Sequence, residues 1–158
     1  MSAALQKVDH AALRVNQSFI IGLSILAFVL NSPWVALFVA LVMAYGTVRR
    51  QPGFKLAYTA LLKPRGWVKP DVLNDNSEPH LFAQGFGAVV LGLAVTALFA
   101  GLPALGWTLV WLVIALAALN LFVGFCAGCA IYYWLNRLHL PGFAKAPPEG
   151  TWPGMRPK

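Results

Sequence analysis

The strongest constraint on this chain is a set of four apolar runs, residues 15–30, 33–48, 82–100 and 103–135, that contain no Asp, Glu, Lys or Arg. A helix needs about 20 apolar residues to cross the hydrocarbon core of a bilayer. Residues 15–48 cannot form a single span, because 34 residues of helix would run about 51 Å. A tight turn at Asn31-Ser32 divides them, and Pro33 suits the first turn of a second helix. Gly101, Leu102 and Pro103 repeat that arrangement. The expected fold is therefore an all-α integral membrane protein, a four-transmembrane-helix bundle made of two hairpins. Composition agrees: 59% of residues are hydrophobic and 11% charged, against about 25% charged in soluble domains. Gln17-x-Phe19 and Gln84-x-Phe86 open the two halves, and each half has a proline and a tryptophan after its turn. That is a weak match to a parallel internal duplication.

The net charge is +7, from 12 Lys and Arg against 5 Asp and Glu. In a soluble chain this would point to nucleic acid, but here the basic residues flank the apolar runs, so no nucleic-acid partner is expected. The two short turns are uncharged. Lys7 and Arg14 precede the first run, six basic residues lie between the hairpins, and Arg137, Lys145, Arg156 and Lys158 follow the last run. The positive-inside rule then makes the bundle a multi-pass protein with both termini cytoplasmic. The start has no short apolar region ending in a cleavage site, so it reads as mature sequence. Residues 1–140 are expected to form the membrane domain. Between the hairpins, residues 53–63 place Phe54, Tyr58, Leu61 and Leu62 on one helical face, the pattern of a short helix lying in the interface. Residues 71–80 read as a polar loop, and residues 141–158 as an irregular Pro/Gly-rich cytoplasmic tail.

Cys126 and Cys129 are the only two cysteines in the chain. Counted from Pro103, Cys126 is 23 residues along, about 35 Å of helix, which puts the pair at the cytoplasmic rim. On a continuous helix Phe122, Cys126, Cys129, Tyr133 and Asn136 would form one stripe. The polar starts of two other helices reach the same depth, with Arg14, Asn16 and Gln17 on the first and His80, Gln84 and Gly85 on the third. Three readings compete. As a redox pair, Cys126 and Cys129 would exchange disulfides in a cytosolic setting where they rest reduced, with Arg14, Asn16, Gln17, Gln84 and Tyr133 in support. As metal ligands they supply two of the four that a closed site needs, and the three histidines, read as solvated surface residues, lack ligand spacing. No metal and no cofactor are expected. As packing groups they are two small apolar residues among glycines.

R-V-N-Q (residues 14–17), F-A-Q-G-F-G (82–87) and G-F-C-A-G-C (124–129), in that order across four spans, resemble the family catalogued as domain of unknown function 4395 over about residues 9–138. The resemblance implies a small protein of the bacterial inner membrane with thiol-redox or sulfur-related work and no settled activity. The leading expectation is a membrane-embedded thiol-disulfide redox or sulfur-handling protein that uses a thiol partner protein or a quinone. The alternative is a non-catalytic accessory subunit of a larger membrane complex, and a third reading is an importer of a sulfur compound.

Overall fold

The structure, a computed structural model, describes residues 6–157. Lys158, counted above among the charges of the tail, lies outside them, as do residues 1–5. The chain is mostly helical. Strand β1 (Gln6–Asp9) leads into α1 (His10–Val29), α2 (Pro33–Val48) and the short α3 (Lys55–Ala57), which continues as a π-helical turn over Tyr58–Leu62. Strand β2 (Val72–Asp75) precedes α4 (Ser77–Phe99), α5 (Pro103–Ala118) with a terminal π-helical turn at Leu119–Val123, and α6 (Ala127–Arg137).

The helix ends follow local chemistry. Asp9 caps α1, its Oδ1 accepting from the Ala11 N–H at 3.0 Å, which satisfies one of the free amides of the first turn. Pro33 and Pro103 open α2 and α5, where the missing N–H has no intrahelical partner to lose. Asn31 and Gly101 end the preceding helices with positive φ, 45° and 77°. At that end of the bundle the Trp107 Nε1–H donates to Asn31 Oδ1 at 3.2 Å, and Trp34 packs edge-on to Phe99.

Helix α4 is central and packs on both α2 and α5. Ile20, Val39, Met43, Leu91, Val110 and Ile114 form the main core. Large apolar side chains also cover the outside, among them Trp34, Phe38, Leu41, Val89, Leu93 and Trp111. Among the described residues three helices are long and apolar enough to cross a membrane: His10–Val29, Ser77–Phe99 and Pro103–Val123. Helix α2 is apolar but shorter, at 16 residues.

Four details differ from the sequence reading. The fold is not purely helical, because β1 and β2 pair antiparallel with Gln6 opposite Asp75 and Asp9 opposite Val72. Residues 72–75, read as loop, form the second strand of that ladder. The first helix starts at His10 rather than near Val15, because Asp9 supplies the cap. The last apolar run is not one helix: it stops at Val123, since Gly124 adopts φ 74°, a left-handed conformation that a helix cannot continue through. Residues 53–63 do hold a short helix, α3 with its π turn, but the apolar face expected there is divided. Phe54 and Tyr58 point into the bundle, while Leu61 stays exposed.

Candidate functional site

The break at Gly124 makes the cysteine site. Phe125 pairs with Met155 of the tail in an isolated antiparallel bridge. The Cys126 N–H donates to Gly154 O at 2.7 Å, and the Arg156 N–H donates to Gly124 O at 2.9 Å. Arg156 also pairs with Asp71. The tail therefore takes up the backbone groups that the broken helix would otherwise leave unpaired. The chain turns and restarts as α6 with Cys126 as its cap, and Cys126 Sγ accepts from the Cys129 N–H at 3.2 Å. The predicted stripe from Phe122 to Asn136 does not exist: Phe122 is 80% exposed and sits on the other side of the break.

Cys126 and Cys129 are joined as a disulfide, Cα to Cα 5.1 Å, where the sequence reading had a resting dithiol. Both are buried, 5% and 2% exposed. Helix α6 is held against α4 at Gly128, where a Cβ would lie 2.5 Å from Ala83 Cβ. Tyr132 donates to Glu78 at 3.0 Å, and Asn76 bridges the Tyr133 hydroxyl and Ala146 O.

Across from the sulfurs stand two histidines and a carboxylate. His80, in the first turns of α4, places Nδ1 3.5 Å from Cys129 Sγ and Nε2 2.9 Å from Asp75 Oδ2. Asp75, at the end of β2, also accepts from the Asn76 N–H at 2.7 Å. Burial would raise the Asp75 carboxyl, but the two neighbouring histidines and that backbone bond outweigh it and hold it well below the usual carboxylate range. His10 packs edge-on against His80, ring centroids 5.6 Å apart. Its Nε2 comes within 3.1 Å of Asp75 Oδ2, so that one carboxylate oxygen lies between the two imidazoles. Tyr133, 6% exposed, borders the group; burial pushes its hydroxyl up despite the bond from Asn76.

These groups line a cavity of about 270 Å³ that Arg14 and Gln17 also border. Of the residues singled out from sequence, Arg14, Gln17, Tyr133, Cys126 and Cys129 thus meet in one space. Asn16 and Gln84 do other work. Asn16 Nδ2 donates to Gln84 Oε1 at 3.2 Å, and Asn16 Oδ1 accepts from the Phe54 N–H at 2.9 Å. Gln84 accepts from the Gly53 N–H at 3.0 Å and donates to Met43 O and Gln51 O at 3.1 and 3.2 Å. The pair fastens the segment after α2 to α1 and α4.

Two of the histidines are not surface residues as expected: His10 is 5% exposed, His80 has a side chain 17% exposed, and only His139 is exposed. Asp75 is the residue that sequence reasoning missed, and His10 enters it only as a solvated surface histidine, because strand pairing between distant segments brings both to the cysteines. The available signal was an acid five residues before a histidine at the start of an apolar run.

The family described as "Domain of unknown function (DUF4395)" matches residues 8–137. The chain belongs to this family. Neither the curated proteins nor the solved structures contain a match. The DUF4395 segment includes His10, Asp75, His80 and both cysteines. It ends before the tail, so Gly154 and Arg156, which close over Cys126, come from outside it.

Proposed function

We propose that this DUF4395 protein is a membrane-embedded thiol-disulfide exchange protein whose working pair is Cys126 and Cys129. The observation that carries the reading is the line Cys129 Sγ, His80 Nδ1, His80 Nε2, Asp75 Oδ2, with separations of 3.5 and 2.9 Å. A nucleophile, a base and a group that orients the base form the arrangement of an activated thiol. With Asp75 accepting from Nε2–H, Nδ1 keeps its lone pair and faces the sulfur.

The two sulfurs then take different parts. Cys126 caps α6, where the helix N-terminus favours negative charge on sulfur. A thiolate of a partner dithiol attacks Cys126 Sγ, the S–S bond breaks, and Cys129 leaves as a thiolate that takes a proton through His80. The partner's second thiolate attacks the mixed disulfide and releases Cys126. The partner is oxidised by two electrons and the pair is reduced to a dithiol. A second disulfide protein or a quinone reoxidises it, with His80 accepting the Cys129 proton on the way back.

All four apolar helices cross the bilayer in this reading, with α2 as the shortest, and the site lies at the cytoplasmic end of the inner membrane. Support comes from the charges: Arg14 in the first turns of α1 and Arg49 and Arg50 just after α2 lie at the ends away from the Asn31 and Gly101 turns, which carry none. The test is incubation of the oxidised, detergent-solubilised chain with a small dithiol and a chelator, followed by mass-tagging of free thiols. Reduction to two tags that reverses on adding a disulfide is expected. A pair that stays untagged, or a Cys126→Ser chain that exchanges as well as the native one, refutes the reading.

A further inference from the structure

We propose that the reduced form of this pair is also a binding site for a thiophilic d10 cation, with Zn2+ as its representative, held by Cys126 Sγ, Cys129 Sγ and His80 Nδ1. One ligand atom from each of His80, Cys126 and Cys129 lies within 4.8 Å of the others. For Zn–S near 2.3 Å and Zn–N near 2.05 Å, tetrahedral geometry sets sulfur and nitrogen about 3.5 Å apart. Cys129 Sγ and His80 Nδ1 already stand 3.5 Å apart. Only Cys126 Sγ must swing once the S–S bond is gone, to about 3.8 Å from its partner, and a Cα separation of 5.1 Å allows that.

The environment of His80 is a second, independent observation. A histidine that binds a metal almost always gives its other ring N–H to a carboxylate, which fixes ring and tautomer. His80 does so to Asp75 at 2.9 Å, and Asp75 is 3% exposed. The first turn of α6 adds N–H groups that favour thiolate at Cys126. The buried His10 belongs to the same cluster: one ligand atom from each of His10, Asp75 and His80 lies within 4.8 Å of the others. Three protein ligands leave a fourth position facing the cavity, the composition of an open rather than a closed zinc site.

Binding is not a redox step. Two thiols lose their protons, three dative bonds form, and no electron moves. When a partner disulfide oxidises the two thiolates, two electrons pass to that partner, the sulfurs join, and the cation loses two of its three ligands and departs. The site thus holds metal only when reduced. It rests on the part of the reading above that makes the pair reducible; the exchange reaction itself is assayed with a chelator present, so failure to bind metal and failure to exchange are told apart.

The test is titration of the full-length, detergent-solubilised chain with Zn2+ against a chromophoric chelator, in the reduced and the oxidised states. One Zn2+ per reduced chain, release of about two protons on binding, and none bound by the oxidised chain are expected. His80→Ala should weaken binding at least tenfold and Asp75→Asn about 10- to 100-fold. Co2+ in the unaltered reduced protein should give intense near-ultraviolet thiolate charge-transfer absorption, a readout independent of how any variant folds. Equal Zn2+ binding by the two states, or a Co2+ complex without thiolate absorption, overturns the site.

Discussion

Replacing Asp75 by Asn changes one atom and separates positioning of the base from everything else in the site. In the native chain the carboxylate accepts from His80 Nε2 at 2.9 Å and leaves Nδ1 free to accept from Cys129. An asparagine amide can offer its own N–H to Nε2, and the ring then carries its proton on Nδ1, facing the sulfur with nothing to accept. A hydrogen bond to a charged group is worth about 1.5–3 kcal/mol, so the step that deprotonates Cys129 should slow by about 10- to 150-fold. The assay is stopped-flow reaction of the reduced chain with a small aromatic disulfide, in the presence of a chelator. Attack by Cys126 releases the first aromatic thiolate, and closure by Cys129 releases the second. Asp75→Asn should slow the second phase and leave the first within a factor of about three, and raising the pH should recover the second phase as hydroxide replaces the base. If both phases slow together, or neither does, then His80 and Asp75 do not serve Cys129.

Gln84→Leu removes five hydrogen bonds, to Asn16, Gly53, Met43, Thr47 and Gln51, and takes their side-chain partner from the Gly53 N–H and Gln51 O; thermal melts in detergent should show a loss of about 3 kcal/mol, and a change under about 0.5 kcal/mol would contradict the clamp. Gly154→Val places a branched side chain where φ is 87° and a Cβ would meet Ala130 Cβ and Cys126 O at 2.8 Å; the tail should lift, and Cys126 of the reduced chain should react faster with a maleimide. Tyr58, buried and donating to Asp9 at 2.8 Å, has its hydroxyl pushed up to about 12, by burial first and then by Asp9. Because that value is raised, the stability it brings is complete below about pH 10, the usual tyrosine value, and is lost as the pH climbs through about 12. Melts across that window should fall faster for the native chain than for Tyr58→Phe, which lacks this ionisation.

How much of this was legible depended on whether the signal was local. The turns at Asn31-Ser32 and Gly101-Leu102 were, since a proline follows each and the apolar pattern pauses there. The polar ends gathered around Arg14, Gln17 and His80 were also legible from span counting. The break at Gly124 was not. The run from Pro103 to Leu135 has no charge, and glycines are tolerated in apolar helices of this kind. What decides the matter is the tail, where Gly154 O and the Arg156 N–H replace the lost helical partners. Such pairing between distant segments leaves no periodic trace, and the same is true of β1 and β2, which carry Asp75 to His10.

The break also explains why the spacing of the cysteines has chemical meaning. Inside a continuous helix the backbone N–H groups near Cys126 would be taken by carbonyls four residues back, and no donor would face its sulfur. As a cap, Cys126 receives the Cys129 N–H instead. The contact that sets the remaining distance is the close approach of α6 to α4. Gly128 touches Ala83, and each is placed next to a member of the site: Gly128 precedes Cys129, and Ala83 lies three residues, about one turn, after His80. A methyl group at position 128 therefore cannot be absorbed without moving Cys129 Sγ away from His80 Nδ1. The packing glycine and the cysteines of G-F-C-A-G-C, which sequence offers as rival explanations, belong to one arrangement: the small residue at 128 sets the separation of Cys129 Sγ and His80 Nδ1, over which the proposed exchange would run.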